Sequence, residues 1–275
     1  MSKIRLDVLL VERNLIETRE KAKRAIMAGL VFSEQERLDK PGMKVDETIP
    51  LTVKGKVIPY VGRGGLKLEK ALQVFSVNVH DKIMVDIGSS TGGFTDCALQ
   101  NGARLCYAID VGYNQLDWKL RSDPRVIVME RTNFRYVTKD MLQSGLPSFA
   151  TIDVSFISLK LILPVLKHIL VSNSDVVTLI KPQFEAGREQ VGKKGIVRDR
   201  KVHLDVLHSI LSFAKDEGFE LYGLTYSPIT GGDGNVEFLA HLGWNKDKSG
   251  LTIEELNPED VVNRAHTDLT TPQNN

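Results

Sequence analysis

Residues 85–94 read Val85-Asp86-Ile87-Gly88-Ser89-Ser90-Thr91-Gly92-Gly93-Phe94. The apolar run 83–87 predicts a buried strand, and 94–100 predicts a helix. Between them, Gly88 and Gly92 let the chain turn sharply and let a ligand come close to backbone. Strand, glycine loop and helix in that order open a doubly wound α/β sheet. The alternation continues outward. Strands are predicted over 105–110, 126–129, 149–154, 175–180, 219–226 and 236–242, and helices over 115–121, 139–143, 159–170 and 201–217. Such alternation implies a parallel sheet covered on both faces. The last two strands are separated only by 227–235, too few residues for a parallel crossover, so this pair is expected to be antiparallel.

Asp110 ends the second strand, 22 residues after Gly88. A carboxylate there is placed to accept both hydroxyls of a ribose. Three readings of the glycine loop compete. A dinucleotide site wants G-x-G-x-x-G, and Ser90 stands where its middle glycine belongs. A hydrolase elbow wants G-x-S-x-G, which residues 88–92 match, but that elbow normally follows several strands and leaves Asp110 without a role. S-adenosyl-L-methionine (SAM) has no pyrophosphate and so needs no full phosphate cradle, while Asp86 at the strand end would favour its cationic methionine part. The third reading accounts for most of the pattern.

Toward the N-terminus the character changes. Leu6, Leu9, Leu10 and Arg13 have helical spacing. Thr18 can cap a second helix that buries Ala22, Ala25 and Ile26 and ends at Gly29. Short strands are expected over 30–32, 44–45 and 49–53. Residues 1–70 hold 15 Lys and Arg against 10 Asp and Glu, whereas 71–275 hold 21 against 25. A basic front on a mildly acidic body points to a polyanion partner, although a solvated charged face would look similar. Arg5, Arg19, Lys23 and Arg24 are the candidate phosphate contacts. The Pro- and Gly-rich stretch 59–65 is the expected linker, giving a small α+β domain over 1–58, an α/β domain over 66–245 and a polar tail over 246–275.

Composition excludes several classes. Hydrophobic residues make up 42% and charged residues 26%, which suits a globular chain and neither disorder nor collagen. The most apolar stretch, 159–171, is broken by Lys160, Pro164, Lys167 and His168, so no membrane span is expected. Arg5 and Asp7 argue against a signal peptide. Cys97 and Cys106 lack metal-ligand spacing, which predicts reduced, buried thiols, a cytoplasmic location and no metal. The sequence carries no signature of an oligomeric state.

Four polar residues interrupt otherwise apolar surroundings: Lys67 on the helix after the linker, Asp153 and Lys181 at successive strand ends, and Glu237 before a core strand. Each alone has a bland account as a cap, a solvated end or an outward strand position. Together they bring two amines and two carboxylates to the sheet edge where ligands bind, a set suited to removing a proton from an alcohol. Residues 183–198 then form a long loop with three glycines and the cations Arg188, Lys193, Lys194 and Arg198. This is read as a mobile lid over a polyanionic substrate, with Lys193 and Lys194 in contact with it.

The strings DIGSSTGGFTD, AIDVG, RTNFR, IDVSFISL, IKPQFE and GNVEFL, in that order, resemble the TlyA family of ribosomal RNA 2′-O-methyltransferases, also known by the name hemolysin. The resemblance spans residues 4–243. The second part resembles the FtsJ/RrmJ-type methyltransferase domain, with a Rossmann-like sheet. The segment RLDVLLVERNLIETREKAKRAIMAGLV resembles the small RNA-binding domain named for ribosomal small-subunit protein four. The resemblance implies a catalytic set Lys67, Asp153, Lys181 and Glu237, with Lys181 as base. It implies SAM contacts at Asp86, Gly88, Ser89, Gly92, Gly93, Asp110 and Asn133, with Asn133 toward the adenine. It also implies cytidine in ribosomal RNA or ribosomal subunits as substrate. One departure stands out. The RNA-binding module usually turns at Val-Asn-Gly after its second helix, and here the chain reads Phe32-Ser33-Glu34-Gln35. Two alternatives lie in other classes: a membrane-active hemolysin-like protein, and a non-catalytic RNA-binding assembly factor.

Overall fold

The computed structural model describes residues 3–27, 29–55, 58–192 and 194–270. The chain divides into two compact units, 1–61 and 62–275.

The first unit contains β1 (Lys3–Arg5), α1 (Leu6–Glu12), α2 (Arg19–Met27), β2 (Val31–Ser33), β3 (Glu36–Arg37), β4 (Lys44–Asp46) and β5 (Thr52–Val53). β1 pairs with β4, and β2 lies between β3 and β5, all antiparallel. Leu6, Leu10, Ala22, Ala25, Ile26 and Val31 close a small core of their own. Thr18 Oγ1 accepts the Lys21 N–H at the start of α2. The departing turn 33–36 keeps its tight two-residue geometry with Glu34 at φ +56°, a conformation glycine would take more cheaply.

The second unit begins with α3 (Gly64–Phe75), β6 (Ile83–Ile87), α4 (Gly93–Gln100), β7 (Leu105–Ile109), α5 (Trp118–Arg121), β8 (Val126–Met129) and β9 (Phe149–Ile152). It continues with α6 (Leu163–Ile169), β10 (Ser174–Ile180), α7 (Pro182–Glu185), α8 (Arg200–Asp216), β11 (Phe219–Tyr226), β12 (Phe238–Trp244), α9 (Ile253–Leu256) and α10 (Pro258–Thr270). The sheet order is β11-β12-β10-β9-β6-β7-β8. β6 to β10 run parallel, and β12 is antiparallel to both of its neighbours. The α/β class with an antiparallel end is therefore as the alternation predicts. The chain leaves β6 toward β7 and β8, then returns to place β9 on the other side of β6. This reversal opens a crevice at the C-terminal ends of β6 and β9, where α/β sheets bind ligands. Buried Ile, Val, Leu and Phe side chains from the sheet, α6, α8 and α10 fill the main core.

Three expectations need correction. The run 246–270 is not a polar tail: it forms α9 and α10, and Leu256, Val261, Val262 and Ala265 enter the core. The expected linker ends early, because Gly64 and Gly65 already belong to α3. The expected helix over 159–170 is a 3-10 turn (Leu159–Leu161) followed by α6, with Pro164 in the first turn of α6, where a missing N–H costs nothing.

Candidate active site

Two adjoining hollows open at the C-terminal edge of the sheet. One, about 400 Å³, is lined by residues of the β6, β7 and β8 ends, among them Gly88, Ser90, Asp110, Val111, Asn133 and Phe134. The other, about 380 Å³, is lined by Arg63, Lys67, Ser89, Gly93, Lys181, Gln183, Phe184 and Glu237 among others. Gly88, Ser90, Asp153, Ser155 and Phe156 border both, so the two are continuous at the β6–β9 crevice.

The glycine loop is shaped by close approach. Gly88 has φ +83°, and a Cβ there would lie 2.5 Å from the Asp153 carbonyl oxygen. A Cβ on Gly93 would lie 2.8 Å from the Gly65 nitrogen, so α3 and α4 start in backbone contact. Asp110 accepts the Ser90 N–H at 2.8 Å on one oxygen and the Gly112 N–H at 2.7 Å on the other. Each oxygen keeps a lone pair for a hydroxyl donor.

Asp86 and Gly92 stand behind the walls of these two hollows and are not among the residues that line them. Asp86 is fully buried and accepts bonds from the Thr95 N–H and hydroxyl and from the Thr151 hydroxyl. Burial pushes its carboxyl up to about 6, against the pull of those donors. It therefore occupies a first-turn N–H of α4 from inside the fold, an amide that a bound pyrophosphate would claim. Gly92 sits against Leu116 and Leu120, where a Cβ would clash. Asn133 lines the first hollow, but its Oδ1 is committed to the Arg135 N–H.

The four polar residues come together in the second hollow. Lys67 Nζ lies 2.7 Å from Glu237 Oε2 and 3.6 Å from Asp153 Oδ2, and Lys181 Nζ lies 2.5 Å from Asp153 Oδ1. The row Glu237–Lys67–Asp153–Lys181 thus alternates carboxyl and amine groups from end to end. Lys67, Lys181 and Glu237 are buried, so solvent screens the row weakly. Lys181 Nζ also donates to Ser155 Oγ at 3.2 Å.

Several further side chains shape this hollow. Phe156 has φ +63° and is 90% exposed, and its ring meets that of Phe184 at 4.9 Å. A left-handed conformation in an aromatic residue costs about 1–3 kcal/mol and persists only where its surroundings impose it. Glu185 accepts bonds from Ser158 Oγ at 2.5 Å and the Leu159 N–H at 2.8 Å. Asn235 bonds Val197 N–H and the Gly195 carbonyl, holding the 195–197 segment beside the strand that follows Glu237. The expected lid over 183–198 is therefore anchored at both ends. Of its cations, Lys194 is exposed and Lys193 lies outside the described residues. The strings IDVSFISL and IKPQFE contain Ser155, Phe156, Phe184 and Glu185, but no periodicity marks them individually.

In the first unit, Arg5 and Arg19 both pair with the buried Asp7 at 2.9 Å, and Lys23 pairs with Glu20. The Arg5 and Arg19 guanidinium groups lower the Asp7 carboxyl to about 2. Arg24 lines a hollow with Lys21, Asn14 and Glu17.

A switch-point crevice, a ribose-type carboxylate and an amine–carboxylate row beside it define a group-transfer domain of the methyltransferase type. The sequence matches the FtsJ-like methyltransferase family over residues 60–244 and the S4 domain over residues 4–48. The chain belongs to the FtsJ-like methyltransferase family and carries an S4 domain at its N-terminal side. It is 67% identical over 268 residues to a Bacillus subtilis protein with the provisional name rRNA methyltransferase YqxC, covering 97% of this chain and 95% of that one. It is 40% identical to the 16S/23S rRNA (cytidine-2′-O)-methyltransferase TlyA of Mycobacterium tuberculosis, covering 95% and 96%. Among solved structures, a provisionally named hemolysin from Streptococcus thermophilus superposes with a TM-score of 0.77 at 56% identity, covering 98% of each chain. No described helix is long and apolar enough to cross a membrane.

Proposed function

We propose that this protein transfers a methyl group from SAM to a ribose 2′-hydroxyl, that of cytidine, in ribosomal RNA in the cytoplasm. The observation that carries this reading is the alternating row Glu237–Lys67–Asp153–Lys181, set beside a nucleoside-sized hollow with Asp110 at its wall. The residues fit SAM better than a dinucleotide, because Asp86 already occupies an α4 amide that a pyrophosphate would need. Asp110 would hold the ribose hydroxyls, Gly88 would admit the ligand against backbone, and Ser89 and Gly93 would border its methionine end. When bound, SAM supplies an electrophilic methyl group on a sulfonium.

Lys181 takes the proton of the 2′-hydroxyl. Asp153, 2.5 Å from its Nζ, faces the charge that appears as the amine becomes an ammonium. Ser155 accepts one Lys181 N–H and so directs the amine. Glu237 holds Lys67, whose charge lies where a substrate phosphate would enter beside Arg63. Phe156 presents a ring on which an unpaired base can stack. Much of the acceleration comes from alignment of the hydroxyl with the methyl group. The S4 domain supplies RNA affinity through Arg5, Arg19, Lys23 and Arg24, with Lys193 and Lys194 adding further contacts.

The test is methyl transfer from labelled SAM to ribosomal RNA taken from cells lacking this gene, with the product mapped by resistance of the 2′-O-methylated linkage to alkali. Lys181→Ala should keep SAM affinity and lose about 10²–10⁴ in turnover, the usual contribution of a general base. A wild-type rate in that variant overturns the mechanism. Leakage from liposomes without any RNA methylation would favour the hemolysin reading instead.

A further inference from the structure

We propose that Glu185 is a positioning residue for this reaction: its carboxylate clamps the loop after β9 onto the turn after β10, fixing Ser155 and Phe156 against Lys181. The proposal rests on the methyltransferase reading of the site. α7 is a single turn that carries Gln183, Phe184 and Glu185 directly behind Lys181. The loop after β9 carries Asp153, Ser155 and Phe156. The Glu185 bonds to Ser158 Oγ and the Leu159 N–H cross from the one segment to the other. They grip the loop two and three residues beyond Phe156, whose backbone is left-handed. An aromatic residue leaves that conformation unless held. The Phe156–Phe184 ring contact at 4.9 Å, the Lys181–Ser155 bond at 3.2 Å and the Lys181–Asp153 pair at 2.5 Å span the same two segments, but none of them reaches the loop beyond Phe156 as the Glu185 bonds do. Release of the clamp lets the loop relax, which moves Ser155 from the amine and the Phe156 ring from the hollow. Asp110 and Asn133 lie on other loops and keep their places, although Ser155 and Phe156 also border their hollow.

Glu185→Ala, Glu185→Gln and Phe156→Ala, with the double variant Glu185→Ala/Phe156→Ala, test this in the full chain. Glu185→Ala should lower kcat on ribosomal RNA about 10- to 100-fold, the cost of a misplacement near 1 Å, with a far smaller change in the SAM Kd. Glu185→Gln keeps an acceptor for the Leu159 N–H and a donor for Ser158 Oγ, so it should stay within about threefold of wild type. In the Phe156→Ala background the Glu185→Ala loss should largely vanish, because both changes act on one loop. A merely structural carboxylate would instead give the same factor in both backgrounds and a matching drop in SAM affinity, and that result overturns the proposal. Amide hydrogen exchange over 155–160 needs no RNA substrate. Faster exchange in Glu185→Ala is expected, and unchanged protection overturns the clamp. Wild-type protein inactive on ribosomal RNA would count against the functional reading, while the exchange result would still decide the clamp.

Discussion

Asp110 accepts two backbone N–H bonds before any ligand arrives. Its orientation is fixed in advance, so a ribose need not order it on binding. Asp110→Ala should therefore weaken SAM binding by about 1–3 kcal/mol, the cost of leaving the hydroxyls without their acceptor. Calorimetry is the direct check, and an unchanged Kd would remove Asp110 from the cofactor site. This residue was legible because a strand-end acid at a set distance from a glycine loop has one common use. Asp86 was not. Its position at a strand end reads identically whether the side chain points at a ligand or into the fold. The deciding partner Thr151 lies 65 residues away, on a strand that only the folded sheet brings alongside. The four-residue row was legible as a set of residue types, but its alternating order, Glu237–Lys67–Asp153–Lys181, is a property of the assembled sheet edge.

At the scale of elements, α10 shows where composition misleads. Val261, Val262, Ala265 and Leu269 have helical spacing, yet the polar majority of 246–275 hides it. Its His266 Nε2 meets His203 Nδ1 of α8 at 2.9 Å, and His203 Nε2 lies 3.2 Å from the Val197 carbonyl. The carbonyl requires a proton on His203 Nε2, so Nδ1 must accept from His266. A second proton on His203 would set N–H against N–H. Burial, with the neighbouring His266, lowers His203 to about 4 and burial lowers His266 as well. The unfolded chain, with an ordinary histidine value of about 6.5, binds these protons first, so stability is lost as pH falls from about 6.5 toward 4. The His203 share is on the order of 3 kcal/mol across that window. Asp86, raised to about 6, works oppositely as pH falls below that value, so a difference measurement is needed. Thermal midpoints between pH 7 and 4 should fall less steeply for His203→Gln than for wild type. Equal slopes would show that the pair does not titrate with unfolding.

For the whole molecule, two units with separate apolar cores imply separable tasks. A chain starting at Gly62 should bind SAM as the full chain does and lose methylation of ribosomal RNA, and undiminished activity would contradict that division. In the full chain, removal of one proposed phosphate contact such as Arg24 should flatten the salt dependence of RNA binding by about one unit. Filter binding across a salt series reads this out.

The position of β12 in the sheet sets an order of events during synthesis. β11 is made before β12 yet joins the sheet only through it, because β12 lies between β11 and β10. α10, made later still, completes the packing against α8. Domains fold as units, the N-terminal one first, while the chain is being made. The unit that holds the S4 domain is complete by residue 61 and can fold while the rest of the chain is still being made. The catalytic sheet has a gap beside β10 until β12 is out. A nascent copy thus has a folded S4 domain before it has a finished catalytic sheet, and the proposed methyl transfer must wait for β12.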